Sequence, residues 1–138
     1  MAAGADDTRV LLVEDDDQDA FLFEKMLREE AGAAVITRAV EGRAAFDALK
    51  AGEAHHCIVL DLRLAGEDGL WLLDQLLGDE ALARIPVIVF SGDAGRLQRA
   101  CADFPNVVSS SRKPETLEQY RTALAIVTAT LGAAVSGP

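Results

Sequence analysis

Basic residues are scarce in this 138-residue sequence: 13 Lys and Arg stand against 23 Asp and Glu, a formal net charge of −10. Nucleic-acid surfaces neutralise phosphates with clustered Lys and Arg, so this balance argues against such a partner. It suits instead a site that gathers carboxylates around a cation. Cysteine is also rare. Cys57 and Cys101 lie far apart and form no ligand-spaced pair. Cys57 opens an apolar run and Cys101 sits in a helical stretch, so both read as buried small hydrophobes. Two such thiols suit a reducing cytoplasm. No apolar run is long enough to span a bilayer, and Met1 to Thr8 carry no positive region followed by an apolar core. A membrane span and a signal peptide are therefore not expected, and the protein reads as cytoplasmic.

What is present is ample apolar material. Half the residues are hydrophobic, while Gly and Pro occur at ordinary levels, which speaks against disorder or a fibrous protein. The length suits one domain. We place it at residues 9–131, with an N-terminal extension over 1–8 and a C-terminal tail over 132–138.

Short apolar runs alternate with helical patterns, as in βαβ units around a parallel sheet. Val10-Leu11-Leu12-Val13 is continuous, as expected of a strand covered on both faces. A helix follows over about Gln18 to Glu30, with Asp16 or Asp17 as its cap and Phe21, Met26 and Leu27 as candidate core positions. Val35 to Val40 predicts a second strand, Gly42 to Lys50 a second helix, and Cys57 to Leu60 a third strand running into Asp61. Beyond Gly66 and Gly69 a helix carries Leu70, Leu73, Leu76 and Leu77, which read as core packing. Val87 to Phe90 makes a fourth strand ending at Ser91-Gly92, and a helix spans about Ala94 to Ala102. Val107-Val108 is a weak fifth strand, and the last helix covers about Glu115 to Leu131. Five strands alternating with five helices give an α/β fold. Right-handed crossovers then make it a doubly wound, flavodoxin-like parallel sheet with helices on both faces.

In such sheets ligands bind beyond the carboxyl ends of the strands. Glu14-Asp15-Asp16 end the first strand, Asp61 the third and Ser91 the fourth, and Lys113 follows the fifth. Crowded carboxylates repel one another unless a proton or cation intervenes. An oxygen-rich site of this kind suits Mg²⁺, which keeps waters and accepts phosphate oxygens. A carboxylate beside Mg²⁺ can attack a phosphoryl group, whose charge a metal and a lysine together stabilise.

Leu-Leu-Val-Glu-Asp-Asp at 11–16, Asp61 after its apolar strand, Asp68-Gly69, Ser91-Gly92 and Lys113-Pro114 resemble, in order and spacing, the receiver domain of two-component response regulators. The likeness runs from about Thr8 to Leu131, and it is also similar to the stand-alone regulators paired with phytochrome-like kinases. The resemblance implies that Asp61 accepts a phosphoryl group from a sensor histidine kinase, a phosphotransfer protein or a small donor. It implies that Glu14, Asp15, Asp61 and the backbone carbonyl of Arg63 hold Mg²⁺. Ser91 would be the switch hydroxyl and Lys113 the ion-pair partner of the phosphoryl group. Such a chain is not an enzyme acting on other molecules; it transfers and loses its own phosphoryl group. With no output domain in the sequence, it would signal through a downstream protein target.

The sequence also departs from the family pattern. Ala65 stands where a proline is usual, which would leave the loop after Asp61 less rigid. Ser110 replaces a common aromatic switch residue, and Glu115 follows Pro114 where phenylalanine is frequent. The readout through the fourth helix, fifth strand and fifth helix is thus expected to differ.

Plainer accounts exist for single residues. The acids at 14–17 could cap a helix, Ser91-Gly92 could be turn chemistry, and Lys113 a solvated loop lysine. His55 and His56, in a loop away from the strand-end rim, read as surface histidines. An aspartyl-phosphate phosphatase of the haloacid dehalogenase type would need an acid where Arg63 stands and its nucleophile after the first strand. A flavodoxin-like binding module would need a phosphate-cradling loop where four acids stand. A receiver-like domain that works without phosphate is disfavoured by the complete acid, hydroxyl and lysine set. From Thr122 to Pro138 no residue is charged, and a helix apolar on more than one side suggests a homodimer or partner interface.

Overall fold

The computed structural model describes residues 8–32, 34–52, 54–64, 66 and 68–136, the last three without their side chains. Most of the N-terminal extension, Ala65 and the end of the tail lie outside these residues. The strands are β1 Arg9–Val13, β2 Val35–Ala39, β3 Cys57–Asp61, β4 Val87–Ser91 and β5 Val107–Arg112. The helices are α1 Asp17–Ala31, α2 Gly42–Lys50, α3 Gly69–Leu77, α4 Ala94–Asp103 and α5 Leu117–Ser136, with a 3₁₀ turn at Leu82–Arg84. All pairings are parallel, in the order β2-β1-β3-β4-β5. The predicted doubly wound α/β fold is the one observed.

Side chains alternate across each strand, so every inner strand feeds two cores. Leu11, Val13, Ile58, Leu60, Val87 and Val89 pack under α2, α3 and α4. Val10, Leu12, Val59, Ile88 and Phe90 pack under α1 and α5. This double burial is why the strand sequences are continuously apolar.

Several expectations need correction. Phe21 is 66% exposed, because α1 turns Ala20, Phe23 and Leu27 inward. A residue two positions before Phe23 lies about 200° around the helix from it. Met26 is only partly buried and packs on the rim of that core. Leu77 is exposed and Leu72 takes a core position in α3. Val40 lies outside β2 and is exposed. Cys57 is buried as expected, but Cys101 is exposed, since α4 buries Ala100 instead. His55 is buried rather than superficial. His56 accepts the Arg9 amide through Nδ1 at 3.0 Å.

β5 is longer than its two valines. It continues through Ser109, Ser110 and Ser111 to Arg112, with Ser110 opposite Val89. Val107 faces Val87 and Ser109 faces Ile88, so Val108 is the extra residue of a bulge, and it is exposed. The last helix likewise runs past Leu131 to Ser136. Its inward face is Ala123, Leu124, Val127 and Leu131, while Ala125, Thr128, Ala129, Gly132 and Ala133 face outward. No helix among the described residues is long and apolar enough to cross a membrane.

Candidate functional site

The strand order reverses between β1 and β3, and a crevice opens there beyond the strand ends. Val13 and Leu60 are register partners, so the next residues, Glu14 and Asp61, stand side by side. Glu14, Asp15 and Asp61 each offer a carboxylate oxygen, and these oxygens lie within 4.8 Å of one another. Among the described residues this is the group of acids, histidines or cysteines that could hold a metal ion. The oxygen-only donor set, with two buried members and one exposed, fits a hard cation such as Mg²⁺.

Asp61 is 7% exposed and its two oxygens are engaged differently. Oδ1 accepts the Arg63 amide at 3.0 Å, and Oδ2 accepts Lys113 Nζ at 3.0 Å. The same ammonium lies 3.0 Å from Glu14 Oε1 and 2.7 Å from Asp19 Oδ2. Burial pulls the Lys113 ammonium toward neutrality, but its hydrogen bonds to Asp19, Glu14 and Asp61 outweigh that and hold it above the usual lysine range. Glu14 is pushed the other way. Burial raises its carboxyl to about 7, although the Asp16 amide and Lys113 pull it down. The carboxyl therefore calls for a counter-charge, from a proton or a cation.

The local sequence explains how these groups are held. Asp16 caps α1 by accepting the Asp19 amide at 2.9 Å, and Glu14 Oε2 accepts the Asp16 amide at 3.1 Å. Arg38, on β2, donates to the Glu14 carbonyl at 3.0 Å and pairs with Asp17 at 2.9 Å. On the other side Asp68 caps α3 through the Trp71 amide at 3.0 Å. Gly69 follows because α3 starts against the backbone after Asp61. A Cβ there would lie 2.7 Å from Leu62 Cα and 3.0 Å from the Asp61 carbonyl. The Trp71 ring packs edge-on against Phe46, with the Arg43 guanidinium 5.4 Å from its centre.

Ser91 is fully buried at the end of β4, and its Oγ accepts the Asp93 amide at 3.0 Å. Its carbonyl accepts the Lys113 amide at 3.2 Å, which ties the fourth strand to the loop carrying the lysine. Asp93 caps α4 through the Arg96 amide at 3.1 Å. The Arg96 side chain pairs with both Asp93 and Asp68, joining the caps of α4 and α3. These contacts lower both acids: for Asp93 the Arg96 amide leads, and for Asp68 the Trp71 amide and Arg96 overcome a desolvation that raises it.

The fold thus gathers Glu14, Asp15, Asp61, Arg63, Ser91 and Lys113 at one rim. Sequence reasoning missed Asp19, Arg38, Asp93 and Arg96. Asp19 had a signal, since the first turn of a helix capped by Asp16 brings the chain back over the strand end. The Arg96 pairs join separate loops, and nothing local announces them.

The profile of the response regulator receiver domain family matches residues 10–125. No curated protein matches the sequence significantly. Among solved structures, the phosphorylated cyanobacterial phytochrome response regulator RcpA superposes with a TM-score of 0.75 at 23% identity, covering 96% of each chain. The Mn²⁺-bound response regulator Rcp1 gives 0.75 at 24% identity, covering 86% of this chain and 91% of its own. The receiver domain of the sensor histidine kinase PA1611 from Pseudomonas aeruginosa, with magnesium in its active-site cleft, gives 0.76 at 23%, covering 91% and 98%. These likenesses concern the fold, whereas the family match spans nearly all of β1 to α5, and on that ground the chain belongs to the response regulator receiver domain family.

Proposed function

We propose that the protein is a phosphoryl switch in two-component signalling, taking a phosphoryl group onto Asp61 from a sensor histidine kinase or phosphotransfer protein. The observation that carries this reading is the pairing of Asp61 with Lys113 at 3.0 Å, beside a cluster of carboxylate oxygens that could hold a metal ion. Rcp1 holds Mn²⁺ and the PA1611 receiver domain holds Mg²⁺, which favours the same metal class here.

An Asp61 oxygen forms the new O–P bond while the N–P bond of a phosphohistidine breaks, its electron pair staying on the imidazole nitrogen. Glu14, Asp15, Asp61 and the Arg63 carbonyl would hold Mg²⁺. When bound, the ion supplies positive charge that lets an anionic donor approach anionic carboxylates. Lys113 binds a phosphoryl oxygen as a point charge. Ser91 leaves the Asp93 amide and donates its hydroxyl to another. The released Asp93 amide then perturbs the cap of α4, and the surface around α4 shifts between two arrangements. Ser110 supplies no ring to report that shift, so the signal leaves by another route on this face. The protein turns over no other substrate, works in the cytoplasm and signals to a protein target. We further propose that the outward, uncharged face of α5 pairs two copies.

Incubation with a histidine kinase and labelled ATP tests the central reading. Label should pass from kinase to this chain, and Asp61→Asn should take none. Label retained on the variant would place the acceptor elsewhere.

A further inference from the structure

We propose that Asp19 is a positioning residue that competes with the phosphoryl group for Lys113 and so slows the loading of Asp61. This rests on the phosphoacceptor reading above and adds to it a residue outside the expected site.

An ammonium has three donors. At Lys113 they meet Glu14 at 3.0 Å, Asp61 at 3.0 Å and Asp19 at 2.7 Å, so none remains for an incoming oxygen. One partner must let go when a phosphoryl group arrives. Asp61 becomes the acyl phosphate that carries the group. Glu14 is buried, with its second oxygen fixed by the Asp16 amide. Asp19 alone of the three is at the rim, its side chain 37% exposed, against 6% for Glu14 and 7% for Asp61. It can turn into water at little cost. Its backbone amide is already satisfied by Asp16, so the cap of α1 does not depend on its carboxylate. Asp19 touches no reacting atom and acts through Lys113. Before loading it stabilises the resting pair. During loading its contact is lost, so it raises the barrier. Once the group is in place, the contact is already broken, and hydrolysis should feel Asp19 little.

The test is loading from acetyl phosphate with Mg²⁺ in excess, followed by intact mass. The Asp61 oxygen bonds to phosphorus while the phosphorus–oxygen bond to the acetyl group breaks and acetate leaves with the electron pair. Asp19→Asn should load about threefold faster, the size expected for removing one partly exposed ion pair. Its adduct should decay at the unmodified rate, and Asp19→Glu should restore slow loading. In a Lys113→Ala background Asp19→Asn should change nothing, which separates competition for the lysine from a general loss of negative charge. A thermal midpoint near that of the unmodified chain would show that the fold is kept. Equal or slower loading by Asp19→Asn would overturn the proposal, as would a gain that persists without Lys113. If the unmodified chain takes a phosphoryl group from neither acetyl phosphate nor a kinase, the phosphoacceptor reading fails first, and this one with it.

Discussion

Replacing Gly69 by alanine adds one methyl group where α3 meets the backbone that follows Asp61. That Cβ would sit 2.7 Å from Leu62 Cα, 3.0 Å from the Asp61 carbonyl oxygen and 3.0 Å from Leu62 Cδ2. Carbon atoms rest at about 3.5–4.0 Å, so the overlap is close to 1 Å and two of the three neighbours are backbone. Backbone cannot turn aside as a flexible side chain does. Overpacking of this kind costs about 1–3 kcal/mol. Glycine to alanine within a helix otherwise gains about 0.5–1 kcal/mol. Gly132 in α5 supplies the control at concentrations where the chain is monomeric, because a Cβ there meets nothing within 4 Å of its own chain. Urea unfolding should therefore give opposite signs for one chemical change: Gly69→Ala less stable by about 2 kcal/mol, Gly132→Ala more stable by a few tenths or more. The m-value should stay fixed in both, so that the midpoint alone reports the change. Gly69→Ala should also slow phosphoryl uptake, since a shift of the Asp61 loop misaligns the acceptor. Equal or greater stability for Gly69→Ala would refute the reasoning that α3 is seated on that backbone.

Further outcomes follow from the same geometry. Lys113→Ala leaves buried Glu14 and Asp61 without their cation, and should cost about 2 kcal/mol, less than the roughly 3–5 kcal/mol of a fully buried pair; millimolar Mg²⁺ should recover part of the unfolding midpoint. Burial raises the Cys57 thiol to about 12, so an alkylating reagent should modify Cys101 alone in the native protein and both thiols in denaturant. Asp68 is held below its usual range, with the Trp71 amide and Arg96 outweighing desolvation. A lowered carboxyl stabilises the fold above its unfolded pKa, and that contribution is lost as pH falls through the folded value. Arg96→Ala should thus lower the urea midpoint at pH 7, and the deficit should shrink on acidification; a deficit constant with pH would contradict the pairing. Light scattering should report a dimer if the outward face of α5 pairs two copies, and a monomer mass in both phosphorylation states would count against it.

The inner strands were legible because burial on both faces leaves nothing but apolar residues, and their carboxyl ends then located Glu14, Asp61 and Ser91. The edge strand β5 was legible only at Val107-Val108, because the three serines beyond them and a bulged, exposed Val108 carry no alternating pattern. Phe21 misled for a different reason. Hydrophobicity marks a side chain that could be buried, while the phase of α1, fixed by Ala20, Phe23 and Leu27, decides which one is. The sharing of Lys113 among three acids, and the bridging of two helix caps by Arg96, arise only when separate loops meet in space.

Intact-protein mass after exposure to a small phosphodonor and to a histidine kinase, each with and without Mg²⁺, decides whether Asp61 is a phosphoacceptor. A single phosphoryl adduct is expected, one that requires Mg²⁺ and disappears in Asp61→Asn. No adduct from either source, together with no Mg²⁺ binding, would contradict it and leave a receiver fold that works without phosphate.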